Sequence, residues 1–127
     1  MEKQHLTEAQ MQYLMFLGIN TRDASMSVDI HLPKMEREIL WGFDEDSNDI
    51  MFKTIPLYTL QDLLNKIPKN IKKEQYNCNL TIEYINSSWS VSYTDFDYDI
   101  VSYKDECLID AVYYMFVWCI LNKYIGK

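Results

Sequence analysis

Asp95, Asp97 and Asp99 recur at every second position, which in an extended chain places three carboxylates on one face. Clustered carboxylates attract hard cations, and paired ones do general acid–base work. The triplet is therefore the first candidate for a metal or catalytic site. No His, Lys or Arg is interleaved with it to complete a catalytic set. The simpler reading is a charged strand edge that keeps neighbouring molecules from pairing with it. A second acidic run, Asp44-Glu45-Asp46-Ser47-Asn48-Asp49, imitates the opening of a calcium loop. An EF-hand requires Gly at its sixth position and Glu at its twelfth, and here those positions hold Asp49 and Ile55. The run reads as a solvated acidic turn.

The other residues with chemical potential are sparse. His5 and His31 have no ligand partner at helical spacing. Cys78, Cys107 and Cys119 are odd in number, contain no C-x-x-C pair and sit in apolar patterns, so each reads as a small buried hydrophobe in a reducing compartment. Gly18, Gly42 and Gly126 are isolated, which excludes the clustered glycines of a phosphate-cradling loop. The expectation is no metal and no cofactor. The basic residues Lys66, Lys69, Lys72 and Lys73 follow a helix end and complement its partial negative charge.

The elements that would position these residues are signalled by caps and periodicity. Thr7 with Gln10 forms a capping box, and Leu6 with Met11 a hydrophobic staple. Met11, Leu14 and Met15 continue one apolar stripe, and Gly18 is placed to end the helix in a left-handed turn. Met26, Val28, Ile30 and Leu32 alternate with polar residues as a half-buried strand, and Ile39, Trp41 and Phe43 read as its hairpin partner. Thr59 with Asp62 caps a second helix, stapled by Tyr58 and Leu63 and stopped by Pro68; Lys69 to Lys73 is a basic connector. Tyr76 to Tyr84 and Trp89 to Tyr93 alternate across the turn Asn86-Ser87-Ser88, and Phe96 to Ile100 extends a further strand.

The last helix is read from about Ser102, with Asp105 as its capping partner, to Tyr124. Leu108, Ala111, Val112, Met115, Cys119 and Ile120 form its core stripe. Tyr114, Val117, Trp118 and Leu121 add a second apolar face, and a helix apolar nearly all round must be covered nearly all round. These four are the candidate interface residues.

The order helix, two strands, helix, two or three strands, helix predicts a two-layer α+β fold: an antiparallel sheet of four to five strands packed by three helices. The chain has 127 residues, 48% hydrophobic and 14% aromatic, which predicts one domain spanning residues 1–127. A net charge of −7 argues against direct binding to nucleic acid or anionic lipid. The polar start Met1-Glu2-Lys3-Gln4-His5 carries no apolar leader, and the apolar run from Ala111 to Leu121 is too short to span a bilayer. The expected compartment is the cytoplasm.

Gln10-Met11, Leu17-Gly18, Ala24-Ser25-Met26, Tyr58 to Leu64 with Pro68, and Leu108-Ile109-Asp110-Ala111 with Trp118-Cys119 together resemble small uncharacterised proteins encoded by prophages and mobile elements of gut Bacteroidetes. The resemblance implies a small soluble cytoplasmic protein of phage origin. It supplies no catalytic residues, and Asp95, Asp97 and Asp99 gain nothing from it.

Three function classes follow. The first is a non-enzymatic interaction module that dimerises, or takes a protein partner, through Tyr114, Val117, Trp118 and Leu121. The second is an acidic mimic of nucleic acid that inhibits a host DNA-binding protein; it requires segments 44–49 and 95–99 to share one surface. The third is a divalent-metal enzyme built on the aspartate triplet.

Overall fold

The computed structural model describes residues 3–31, 52–96 and 98–125. Helix α1 (Glu8–Phe16) begins at its capping box: the Thr7 hydroxyl accepts from the Gln10 N–H at 3.1 Å, and the Gln10 side chain accepts from the Thr7 N–H at 2.9 Å. Leu6 and Met11, the staple pair, are fully buried. The helix closes at Gly18, whose φ of 96° only glycine adopts freely. The Gly18 N–H reaches Met15 and the Ile19 N–H reaches Leu14, both at 3.0 Å, satisfying two carbonyls that the helix end would leave bare. Met15, expected on the apolar stripe, is exposed.

Strand β1 (Met26–His31) pairs antiparallel with β2 (Phe52–Leu57), Met26 opposite Leu57 and His31 opposite Phe52. The hairpin partner read at 39–43 lies outside the described residues. The partner that is described, β2, was not picked out by periodicity. It carries Pro56, which is tolerated because a two-stranded ribbon leaves one edge of β2 unpaired within the sheet. Ile55 and Leu57 point into the core.

Helix α2 (Leu60–Lys66) repeats the capping logic, with the Thr59 hydroxyl on the Asp62 N–H at 3.2 Å and the Asp62 carboxylate on the Thr59 N–H at 3.0 Å. It stops at Lys66, two residues before Pro68. Lys69 donates to the carbonyls of Leu64 and Ile67, so part of the basic cluster does serve a helix end.

The connector then departs from expectation. Asn70–Lys73 is strand β3, the first of a four-stranded meander with β4 (Tyr76–Ile85), β5 (Ser88–Asp95) and β6 (Tyr98–Asp105) in sequential order. Two-residue loops join the strands, and Glu74, Asn86, Ser87 and Phe96 take positive φ there, as right-twisted hairpins require. A register shift between Tyr93 and Thr94 makes Ile100 the extra residue of β6, so that Tyr93 opposes Val101 and Thr94 opposes Asp99.

The last helix, α3 (Leu108–Leu121), starts later than its sequence implies. Ser102 to Asp105 stays in the ladder with β5, so the Ser102–Asp105 box is not formed; Asp105 instead accepts from the Cys107 N–H at 2.8 Å. The helix ends at Leu121, before Tyr124, in the same closure as α1: the Lys123 N–H reaches Ile120 and the Tyr124 N–H reaches Cys119.

The fold is therefore α+β, with three helices and six strands among the described residues, the strands divided between a two-stranded and a four-stranded antiparallel sheet. Both sheets and all three helices contribute to one buried cluster. Helix α3 packs on β5 and β6 along one side and on α2 along another.

The two helix closures yield a paired prediction. Lys123 holds the left-handed position with φ 66° and pays the clash of its Cβ, whereas Gly18 avoids it. Lys123→Gly is expected to stabilise the fold by about 1 kcal/mol and Gly18→Ala to destabilise it by a similar amount. Urea midpoints at constant slope check both.

Candidate functional site

The aspartate triplet does not form one carboxylate face. The chain reverses at Phe96, so Asp95 and Asp99 lie on different strands of a hairpin. Asp95 opposes Tyr98 and Asp99 opposes Thr94; adjacent rungs of a ladder point to opposite faces, which puts these two carboxylates on opposite sides of the sheet. Asp97 lies outside the described residues. Among the described residues no three of His, Cys, Asp and Glu gather to hold a metal ion. The acidic segment 44–49 also lies outside the described residues. His5 forms an isolated bridge with Thr59, its Nδ1 2.8 Å from the Leu6 carbonyl.

Two of the cysteines are buried as read, while Cys107 is half-buried at the start of α3. The Tyr93 hydroxyl donates to the Pro68 carbonyl at 2.6 Å and lies 3.4 Å from the Cys119 sulfur. With the tyrosine proton committed to Pro68, the thiol is the donor to the tyrosine oxygen. Burial pushes the Cys119 thiol up to about 11, in keeping with a protonated donor.

The surplus face of α3 divides in two. Trp118 turns to the sheet, where its ring meets Tyr93 at 6.1 Å, stacks on Tyr124 at 5.4 Å and receives the Lys73 ammonium at 5.8 Å. Tyr114, Val117 and Leu121 follow the spacing i, i+3, i+7 on the outward side. Tyr114 is 40% exposed and Leu121 57%, while Val117 is half-buried. The Tyr114 ring leans on Tyr103 of β6 and on Tyr113.

Helix α1 extends this surface. Lys3 and Gln10 both donate to Asp110 near the start of α3, at 2.6 and 3.0 Å, which brings the two helices together. Burial first, and next the Tyr13 and Tyr114 hydroxyls, push Tyr113 up to about 12. Phe16 stacks on Tyr13 at 6.4 Å and is 83% exposed. The two helices thus expose Tyr13, Phe16, Tyr114 and Leu121. Sequence reading identified the α3 part and missed Tyr13 and Phe16, whose signal was their position outside the Met11–Leu14 stripe.

Polar ties hold the segment after α1 to α2. Asp62 accepts from the Ser25 N–H at 2.9 Å and from the Ser25 hydroxyl. Asp23 takes Lys66 and the Tyr58 hydroxyl, and the Lys66 ammonium lies 5.4 Å over the Tyr58 ring. Among the described residues no helix is long and apolar enough to cross a membrane. Comparison with family models, curated proteins and solved structures finds no match to this chain.

The carboxylates set a pH dependence. The Lys66 hydrogen bond holds Asp23 low. Burial raises Asp62 and Asp110, but hydrogen bonds from Ser25 and Thr59 at Asp62, and from Gln10 and Lys3 at Asp110, more than offset it. The folded state therefore binds fewer protons than the unfolded chain. The stability from these groups is complete at neutral pH and drains as pH falls through and below their ordinary value of 3.8. The sign reverses for Tyr113: its contribution is complete below the ordinary value of 10 and is lost as pH rises toward 12. Asp62→Asn is expected to cost about 1–2 kcal/mol at neutral pH and to make the acid arm shallower. Urea midpoints measured across pH test this.

Proposed function

We propose that the protein is a non-enzymatic interaction and assembly module, of phage or mobile-element ancestry, that self-associates through the outward face of α3 and the aromatic end of α1. The observation that carries this reading is the exposure of Phe16, Tyr13, Tyr114 and Leu121 on two helices that Gln10 ties together through Asp110. Aromatic side chains supply interface cores because they bury large area for few frozen torsions. The i, i+3, i+7 spacing of Tyr114, Val117 and Leu121 is that of a helix–helix seam, and such a stripe is complementary to its own copy about a twofold axis. Asp110, the carboxylate beside the seam, is already paired with Lys3.

Light scattering after size-exclusion is expected to give twice the monomer mass of 15.2 kDa for the natural chain and 15.2 kDa for Leu121→Glu. Leu121 is chosen over Trp118 because Trp118 also packs on Tyr93 and Tyr124, and its loss would disturb the fold. Two copies at −7 each repel at long range, so added salt should strengthen the dimer. A monomeric mass for the natural chain across accessible concentrations, with or without salt, would overturn self-association.

A further inference from the structure

The outer face of the four-stranded sheet is lined with hydroxyls. Thr81, Ser92 and Ser102 lie abreast on β4, β5 and β6, as do Glu83, Ser90 and Lys104. Thr94 and Asp99 form the next rung beyond Ser92. These side chains enclose a groove of about 320 Å³, at the small end of the range for small-molecule sites. From the Ser90 rung to the Thr94 rung it runs about 13 Å, and from β4 to β6 it is about 10 Å wide. Two hydroxyl pairs are internally satisfied, Thr81 with Thr94 at 3.1 Å and Ser90 with Ser102 at 3.3 Å. Ser92, between them, is only 6% exposed, and its hydroxyl has no hydrogen-bond partner among the described residues. A buried hydroxyl without a partner is costly, and native structures supply one from protein, water or ligand.

The geometry points to this groove as a binding site for a neutral polyhydroxylated molecule of the size of one sugar ring. Serine and threonine hydroxyls donate and accept, which matches ligand hydroxyls that do the same. Glu83 and Asp99 only accept and Lys104 only donates, so a ligand carrying both roles on every oxygen uses all three. An anionic ligand would meet Glu83 and Asp99, and a cationic one Lys104. A nucleic-acid base would find no aromatic platform among the lining residues, and a lipid would find only Ile85. Ser92 is the positioning contact on the floor, with Glu83 and Asp99 as the directional acceptors.

The test is titration of the full chain, followed by amide NMR shifts, with a neutral hexose, a hexuronic acid and a hexosamine as probes. The hexose is expected to move the resonances of Ser90, Ser92, Thr94 and Ser102 in a saturable way, and the charged sugars to bind more weakly. Ser92→Ala is expected to weaken the hexose roughly fivefold, the value of one hydrogen bond, while its melting temperature holds or rises because an unpartnered hydroxyl is removed. Glu83→Gln provides a second variant on an exposed position, also expected to bind more weakly. Absence of saturable shifts at the highest soluble sugar concentration, equal binding by Ser92→Ala, or preference for a charged sugar would each overturn the assignment.

Discussion

Helix α3 is too apolar to exist with one side in water, and the rest of the molecule is arranged by that fact. Eight of its residues are buried, from Ile109 to Ile120, and they occupy more than a single stripe. Such a helix needs partners in two directions. The meander supplies one through Tyr93 and Tyr103, and α2 supplies another. What they leave partly open is the narrow line from Tyr114 to Leu121, so the candidate interaction surface is the remainder of a burial problem mostly solved within the chain.

The features legible in the sequence are those decided by neighbours within a few residues. Both capping boxes form because Thr7 with Gln10 and Thr59 with Asp62 need only the first helical turn to meet. The third box, at Ser102 and Asp105, fits the same pattern and loses. Those residues lie opposite Ser92 and Trp89 on β5, and the ladder satisfies more backbone groups than a cap would. Strand β3 escaped notice because it buries only Ile71 between lysines and asparagine, and β2 because Pro56 and Thr54 mask the alternation of Ile55 and Leu57. In both, pairing with a partner strand supplies what local propensity does not: β4 across a two-residue loop for β3, and the more distant β1 for β2.

The sites followed the same division. The surplus apolar face of α3 was visible as composition, but which of its residues meets the sheet depends on where the sheet lies, and that separated Trp118 from Tyr114 and Leu121. The aspartate triplet misled because its period-two spacing continues unbroken through a turn. Phe96 is no turn former, yet it adopts φ 55° where the chain reverses. The hydroxyl floor was invisible in sequence because Ser, Thr and Asn alternating outward is the ordinary surface of a sheet. Only register reveals that Thr81 with Thr94 and Ser90 with Ser102 pair off and leave Ser92 alone.

The contact of Lys3 and Gln10 with Asp110 bears on the order in which the molecule is assembled at the ribosome. Lys3 and Asp110 are 107 residues apart, so the first helix to be synthesised waits for the last before its polar anchor exists. The β3–β6 meander, joined by two-residue loops, needs no such wait, because each strand finds its neighbour as soon as it emerges. Before that anchor exists α1 can already meet Tyr58, through the Leu6 backbone bond and the Met11 sulfur, so its docking is built in two stages separated by the synthesis of the whole meander.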